Sequence, residues 1–260
     1  MNAWRCDLCG GARQEPLSPW IVRCLDCGLA CSHPLPDPAE LQQRYGSDYY
    51  AGWDGAGDRL RIWRQRLKLM QPWARNGGLL DVGCGSGEFL REARKQGFEP
   101  TGTEFSDAAR SAIRDFKVAR DPGETAGPFD LVTLWHVLEH VPSPRQTLQV
   151  LRSKLKPSGL LFVAVPNIDS RWFNWVYRLG KGHEPELYSP QSKEPHLYHF
   201  SQQTLRRLLE TSGFHILKEM PDVPDANFLY RMADLPARVL YALTGKNWTL
   251  TLFAACRRAD

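Results

Sequence analysis

From Gly77 onward, short apolar runs alternate with stretches whose apolar residues recur every three to four positions. A strand buried on both faces reads as a continuous apolar run, whereas the helix that crosses over to the next strand carries one apolar stripe, so the rhythm predicts a largely parallel sheet. The strands expected are Leu79–Val82, Pro100–Glu104, Phe116–Val118, Leu131–Trp135, Leu160–Val165, Phe214–Glu219 and Trp248–Cys256, with helices over Gly87–Gln96, Ser106–Asp115 and Ser143–Lys154. In "LKPSGLLFVAVP" a helix is expected to end ahead of Pro157 and Gly159, with a buried strand after them. The last two strands are expected to pair antiparallel at one edge. The fold class is α/β, a seven-stranded Rossmann-like sheet occupying residues 77–260.

Residues 37–76 read as a helical linker and cover. An aromatic stretch, Tyr45, Tyr49, Tyr50 and Trp53, precedes "DRLRIWRQRLKLM", in which Leu60, Trp63, Leu67 and Met70 share one helical face and Arg61, Arg64 and Lys68 another. The basic stripe is either a solvated face or a contact for an anionic substrate or RNA. Two insertions, about 168–198 and 221–246, have the pattern of helical lids. In the first, Trp172, Trp175, Val176 and Leu179 lie on one face with Arg171, Asn174 and Arg178 opposite. In the second, Phe228, Leu229, Met232, Leu235, Val239 and Leu243 recur at helical spacing. Such stripes serve packing or line a pocket, and an apolar lid also permits peripheral membrane contact through residues 171–179 if the substrate is lipid-linked.

Composition narrows the classes. With 260 residues, 42% hydrophobic and 24% charged, the chain has the profile of a soluble globular protein. Its longest apolar run, Leu160–Val165, is far short of the ~20 residues a membrane span needs. A net charge of +4 does not demand a nucleic-acid partner. The opening "MNAWRCDLCGG" lacks a basic-then-apolar leader pattern, so a cytoplasmic location is expected.

Five of the seven cysteines, Cys6, Cys9, Cys24, Cys27 and Cys31, fall within the first 31 residues. "CDLCG" and "CLDCG" are two copies of one knuckle, separated by fourteen residues. Paired C-x2-C turns read as metal ligands rather than disulfides in a chain without a leader, and two of them supply a tetrahedral thiolate set for structural Zn²⁺. A segment this small has little apolar core, and structural zinc contributes roughly 10–16 kcal/mol to such folds. Residues 1–36 are therefore expected to form a zinc ribbon ligated by Cys6, Cys9, Cys24 and Cys27, with a degenerate ribbon of free thiols as the alternative and Cys31 and His33 as substitute ligands.

"LLDVGCGSGEFL", residues 79–90, sets Gly83, Gly85 and Gly87 between the first strand and its helix, the place where ligands bind in open α/β sheets. Dinucleotide sites favour G-x-G-x-x-G because the helix N-terminus receives a pyrophosphate. Here the spacing is G-x-G-x-G, and Asp81 precedes it. A carboxylate at that point opposes a pyrophosphate and suits an ammonium group. Glu104 lies 23 residues beyond Asp81, at the end of the second strand, where a carboxylate grips two ribose hydroxyls. A ligand with a ribose, a positive charge and no phosphate is S-adenosylmethionine.

At these residues the chain resembles the class I methyltransferases. "LLDVGCGSG" is similar to their first motif, "GTEFS" to their ribose-binding strand end, "FDLVTLWHVLEHVPSP" to their fourth strand and the loop after it, and "LKPSGLLFVAVPN" to their fifth strand, so that the resemblance covers roughly residues 77–217. It implies that Asp81, Gly83 and Gly85, with Cys84 and Gly87 of the same turn, line the methionine side of the cofactor. It further implies that Glu104 holds the ribose, that Phe105 flanks the adenine and that Trp135 and His136 close over the cofactor. Where relatives place an acid near the adenine amine, this chain reads "KVARDPGETAG", which offers Asp121 and Glu124.

Methyl transfer is an in-line displacement at a sulfonium carbon, and alignment of the reactants supplies up to ~7–11 kcal/mol. A base is needed where the accepting atom must lose a proton, and then adds about 10²–10⁴-fold. The candidates are His136, His140, His196 and His199, with Tyr198; the blander readings are backbone hydrogen bonding for His140, cofactor contact for His136 and a structural role for His196 and His199. "HLYH" alone has no metal-site spacing. The acceptor expected is a small molecule. "WHVLEHVP" resembles the group containing the quinone O-methyltransferases, while a cysteine-knuckle front resembles the much longer nucleotide-sugar C-methyltransferases and points to a sugar, a glycan precursor or another cell-envelope metabolite. Certain 23S rRNA guanine methyltransferases also begin with a zinc module, but Arg5, Arg13 and Arg23 here are matched by Asp7, Glu15 and Asp26. The remaining alternative is a binding or regulatory protein that has kept the fold without the catalysis.

Overall fold

The computed structural model describes residues 4–37, 39–41, 56–74, 76–187, 192, 195–223 and 228–259. Tyr45, Tyr49, Tyr50 and Trp53 lie outside them, as do the side chains of Phe228 and Leu229.

The large sheet contains β4 (Gly77–Val82), β5 (Phe98–Thr103), β6 (Val118–Ala119), β7 (Phe129–Trp135), β8 (Leu155–Pro166), β10 (Phe214–Pro221) and β11 (Thr251–Arg258), in the order β10-β11-β8-β7-β4-β5-β6. The strands from β8 to β6 pair parallel. β11 runs antiparallel to β8 and to β10. The expected antiparallel pair is therefore present, with β10 alone at the edge and β11 inserted beside the buried β8. The last strand begins at Thr251 rather than Trp248, and the third is two residues long. A third difference concerns "LKPSG". The helix α4 (Pro144–Lys154) stops at Lys154, and β8 starts at once with Leu155, running through Pro157 and Gly159. Pairing with β7 jumps from Phe129↔Leu155 to Leu131↔Leu160, and Ser158 has φ 62°. A bulge thus absorbs the proline, which has no N–H for the ladder.

Alternation along the strands divides the core between two faces. Leu80, Val82, Val132, Leu134, Leu161 and Val163 meet α4 and α6 (Gln202–Thr211) through Leu148, Leu151, Leu205 and Leu208. Leu79, Leu131, Phe162, Ala164 and Phe253 face the other way, against Leu67 and Met70 of α1 (Ala56–Met70) and Phe89 and Ala93 of α2 (Glu88–Lys95). The short α3 (Asp107–Ala112) follows β5, capped by Ser106.

The cysteine-rich segment forms a second sheet from β1 (Gln14–Ser18), β2 (Ile21–Cys24) and β3 (Ala30–Ser32), and a fourth strand comes from far along the chain, β9 (Tyr198–His199). Cys6, Leu8, Val22, Cys24 and Leu29 are continuous with the apolar layer that holds α4 and α6.

The lid helices are α5 (Arg171–Lys181) and α7 (Phe228–Thr244), which meet through a perpendicular contact of Phe173 with Tyr230 at 5.5 Å. Their inward faces are not those the pattern suggested. Trp175 and Leu179 stand 50% and 67% exposed, and Met232, Leu235, Val239 and Leu243 also face solvent. α7 instead turns Asp234, Ala237 and Tyr241 inward, where Asp234 accepts a bond from the Leu250 amide (3.0 Å) and Tyr241 donates to the Glu219 carbonyl (2.6 Å). Polar anchoring and a small residue at the crossing set the rotation of this helix in place of apolar content.

Candidate functional site

Gly83, Gly85 and Gly87 all adopt positive φ (69°, 54° and 75°), so the turn after β4 winds through the left-handed region that side chains disfavour. A Cβ at Gly83 would lie 2.6 Å from Val137 Cγ2, which keeps the main chain close to the loop after β7. Glu104, buried at the end of β5, accepts the amides of Gly85 (2.9 Å, Oε2) and Ser106 (2.8 Å, Oε1). Each oxygen keeps a lone pair for a further donor. Asp81 is buried at the end of β4 and accepts a bond from Thr133 Oγ1 at 2.6 Å. Burial pushes its carboxyl up to about 7, against the opposing pull of Thr133 and of the Arg66 charge.

Arg66 escaped the sequence reading. It points inward from α1, pairs with Asp222 in a fully buried bridge, and lays its guanidinium 4.7 Å from the ring centre of Trp135. Of the basic stripe, Arg64 bonds Glu92 of α2 at 2.8 Å. Trp135 is a core residue, stacked on Phe253 and edge-on to Phe89, and it lines the cleft, while among the described residues its buried indole N–H has no acceptor. Phe105 is 38% exposed beneath the guanidinium of Arg120, and Cys84 is buried under Gly102 with its thiol pushed up by burial. Asp121 reaches the cleft while accepting the Gly123 amide, whereas Glu124 turns back to the amide of Arg120.

The cleft, about 1410 Å³, runs without a break from these residues to the histidines. His136 follows β7 with φ 57°, a conformation rare for a residue with a side chain. Its Nδ1 lies 3.5 Å from Glu139 Oε1, and His140 Nε2 lies 3.8 Å from the same oxygen. His140 Nδ1 must donate to the Pro195 carbonyl (2.8 Å), which leaves its Nε2 without a proton when the ring is neutral. The His196 ring packs edge-on against His140 at 4.8 Å and lies 6.0 Å from His199. Tyr198 bonds the Pro142 carbonyl through its hydroxyl (2.9 Å), and burial pushes that phenol up.

Glu139 was passed over as the acid between two histidines. It is 1% exposed, and among the described residues neither carboxylate oxygen has a well-aligned hydrogen-bond donor. Burial pushes its carboxyl up, but the surrounding imidazoles of His136, His140 and His196 outweigh that and hold it below the ordinary carboxylate range. Burial pushes His196 down to about 3, so this ring is neutral. A carboxylate and the ring nitrogens of His140 and His196, all within 4.8 Å, form a mixed O/N donor set that suits a divalent cation as well as a shared proton. "HLYH" by itself gave no sign of this, because two of the three donors come from the β7–α4 loop.

At the ribbon, the knuckles repeat bond for bond: Gly10 donates to the Cys6 carbonyl and Gly28 to the Cys24 carbonyl, both at 2.8 Å. The thiols of Cys6, Cys9, Cys24 and Cys27 lie within 4.8 Å of one another, with closest pairs at 3.5 and 3.6 Å. Tetrahedral ligation at 2.3 Å places sulfurs about 3.8 Å apart, so the four thiols fit a zinc ion. Cys31 lies outside that cluster, buried in β3.

Comparison with known proteins gives this geometry its context. The methyltransferase domain family matches residues 56–219, more than half of the chain. A ubiquinone biosynthesis O-methyltransferase of Marinobacter nauticus is 34% identical over 110 residues, 36% of this chain and 46% of that protein. One from Histophilus somni is 32% identical over 155 residues, 50% of this chain and 64% of that protein. The chain thus spans about half the length of the curated relatives it matches. Among solved structures, the 1,6-didemethyltoxoflavin-N1-methyltransferase of Burkholderia thailandensis, with its bound substrate and S-adenosylhomocysteine, aligns over 96% of this chain and 100% of its own with a TM-score of 0.60 and 17% identity, a likeness of fold. The α/β sheet, the glycine turn and the family match agree: the chain belongs to the class I methyltransferase family.

Proposed function

We propose that this protein transfers a methyl group from S-adenosylmethionine to a hydroxyl of a small-molecule acceptor. The observation that carries the reading is the single cleft that joins the Asp81–Gly83–Glu104 cradle to the Glu139–histidine cluster. On the cofactor side, Asp81 faces the ammonium group, Glu104 accepts the ribose hydroxyls, and Phe105 flanks the adenine. Bound S-adenosylmethionine supplies an electrophilic methyl group. On the acceptor side His136, 37% exposed at its side chain and next to the Glu139 carboxylate, is the best-placed base. Glu139 stabilises the imidazolium that His136 becomes on taking the hydroxyl proton, and His140, fixed by Pro195, keeps Glu139 in place. His196, His199 and Tyr198 wall the pocket.

Four thiolates at the ribbon hold a structural zinc ion. The three ribbon arginines are engaged within the ribbon, Arg13 with Asp26, Arg23 with Glu15 at 3.8 Å and Arg5 with the Gly10 carbonyl at 3.4 Å, which favours a small acceptor over RNA. The outward apolar stripe of α5 and α7 supports a second, narrower reading, in which the acceptor is a sugar or glycan precursor on a lipid carrier and the lids rest on the membrane surface. Among the described residues no helix is long and apolar enough to cross a membrane. Calorimetric titration with S-adenosylhomocysteine and metal analysis of the purified chain test the cofactor and zinc together. Micromolar binding and one zinc per chain are expected, and absence of binding to the cofactor product would defeat the reading.

A further inference from the structure

Among the described residues, the ribbon's hydrogen bonds to the large domain go to one half of the cleft. Its strand β3 pairs with β9, Ala30 opposite His199 and Cys31 opposite Tyr198. The Ser32 amide donates to the Leu197 carbonyl (2.8 Å), and Ser32 Oγ, fully buried, donates to the His196 carbonyl (3.0 Å). From its other side the same segment is gripped by the β7–α4 loop, where the amides of Leu197 and Tyr198 both reach the Glu139 carbonyl, at 2.7 and 3.1 Å. A second tie starts inside the first knuckle. Asp7 follows Cys6 directly, and its carboxylate accepts Ser143 Oγ (2.6 Å) and the Arg145 amide (2.9 Å) at the N-terminus of α4, the helix that the histidine loop leads into. A carboxylate there satisfies an orphan amide and complements the helix dipole. On the cofactor half, the bonds of Glu104 to Gly85 and Ser106 and of Asp81 to Thr133 involve no ribbon residue.

We propose that the ribbon is the fastener of the acceptor half: Asp7 and Ser32 are positioning residues that hold the loop bearing His136, Glu139 and His140 in register with the segment bearing His196 and His199. The inference deepens the reading above and rests on its assignment of the histidine cluster to the acceptor. Strands of three to five residues do not hold a sheet alone, so the thiolate-bound metal, added to the packing of Leu8, Val22 and Leu29, keeps β3 in place for β9. Loss of that metal opens the acceptor side and leaves the cofactor side closed.

The full-length chain tests this by amide hydrogen exchange over residues 136–147 and 195–200, with S-adenosylhomocysteine affinity and metal content measured on the same preparations. Asp7→Ala is expected to speed exchange in both segments about fivefold to tenfold, the effect of a lost helix cap, with cofactor-product affinity changed less than about threefold and zinc retained. Asp7→Asn keeps an acceptor for the Arg145 amide and is expected to restore most of the protection. The imidazole ¹⁵N signals of His140, whose tautomer the Pro195 carbonyl dictates, are expected to shift in Asp7→Ala and return in Asp7→Asn, a response that general destabilisation does not produce. Ser32→Ala repeats the test from the β9 side should Asp7→Ala fail to fold, and chelation of the ribbon metal is expected to reproduce the same exchange pattern. Unchanged exchange at 195–200 in Asp7→Ala and Ser32→Ala overturns the proposal, as does a loss of cofactor-product affinity in step with exchange. A purified chain without metal defeats the zinc assignment by itself, and the Asp7 and Ser32 variants then still decide whether the ribbon is the fastener.

Discussion

On the glycine side of the cleft, the bonds that shape the pocket stay within the parallel sheet: Gly85 and Ser106 to Glu104 across one turn, and Thr133 to Asp81 from the neighbouring strand β7. On the histidine side they close long loops: His140 to Pro195, Ser32 to the His196 carbonyl, Asp7 to Ser143. The first half belongs to one β-turn-α-β unit and the strand β7 paired beside it, and forms with the centre of the sheet. The second exists only after three distant segments have met, so its geometry depends on the ribbon, on the β7–α4 loop and on β9 at once. One half presents fixed main chain, and the other has parts that can be adjusted separately. Mutations that touch one half should leave the other unmoved.

The largest expected effect is at Glu104. Glu104→Ala removes the carboxylate proposed to accept two ribose hydroxyls and orphans the amides of Gly85 and Ser106. Charge-assisted hydrogen bonds are each worth about 1.5–3 kcal/mol, so S-adenosylhomocysteine affinity should fall about 10²–10⁴-fold by calorimetry. Exchange protection at 195–200 should stay as in the parent chain. A parallel loss there would show that the two halves are one cooperative unit and break the comparison.

Next comes the pH dependence that Asp81 imposes. Its carboxyl titrates near 7 in the free protein because burial disfavours the anion, whereas an ammonium ligand requires the anion. Ligand binding must therefore release a proton below that point. S-adenosylhomocysteine affinity should rise with pH up to about 7, by as much as about tenfold per unit, and then level off. Asp81→Asn should flatten the profile. The calorimetric signal in buffers of different ionisation heat counts the proton released, and a flat profile in the parent chain would remove Asp81 from the ammonium site.

The same contrast has a stability signature of opposite sign at the two acids. Asp81 carries a raised folded-state pKa, so between its unfolded value near 3.8 and about 7 the native state binds the extra proton and stability falls as pH rises. Glu139 is held below its ordinary 4.5, so its contribution is present above that value and is lost as pH drops through the folded pKa. At pH 8 Asp81→Asn should raise Tm by about 2–4 °C or more, and Glu139→Gln should lower it by a similar amount. Shifts of the same sign would mean that the cofactor half is not waiting for a cation.

These expectations also mark what was legible in the chain beforehand. The alternation of Leu79 to Val82 with the Gly83–Gly87 turn and Glu104 is a local pattern, and it sufficed for the fold and for placing Asp81 and Glu104 together at one cleft, because strand period and turn chemistry act within a few residues. The paired knuckles were legible for the same reason. Arg66 was not, because a helical arginine is ordinarily solvated and its burial depends on Asp222, 156 residues away, and on the ring of Trp135. Glu139 was missed because its burial and its third imidazole, His196, are set by the distant 195–199 segment. Asp7, hidden between two cysteines, gave no hint of α4. The lid faces were misjudged because apolar spacing alone assumes the stripe turns inward, whereas Asp234 and Tyr241 anchor α7 the other way.

The smallest effect belongs to that outward stripe, and it separates a surface that merely tolerates apolar residues from one that uses them. Met232, Leu235, Val239 and Leu243 are about half exposed or more, so replacing Leu235 and Leu243 with Ser removes little buried area. Surface changes of this kind stay within about 0.5 kcal/mol each, and Tm should move by no more than about 2–4 °C for the pair. Tyr241→Phe, which strips the bond to the Glu219 carbonyl from the inward face of the same helix, should cost about 1 kcal/mol. Both should leave S-adenosylhomocysteine affinity unchanged, since neither side belongs to the cradle. Sedimentation with vesicles of 3:1 phosphatidylcholine and phosphatidylglycerol then distinguishes the faces. If the lids rest on a membrane, the double serine variant should lose vesicle binding while Tyr241→Phe keeps it. Equal binding by the parent chain and the double variant would assign the stripe no membrane role and confine the acceptor to molecules that reach the cleft from water.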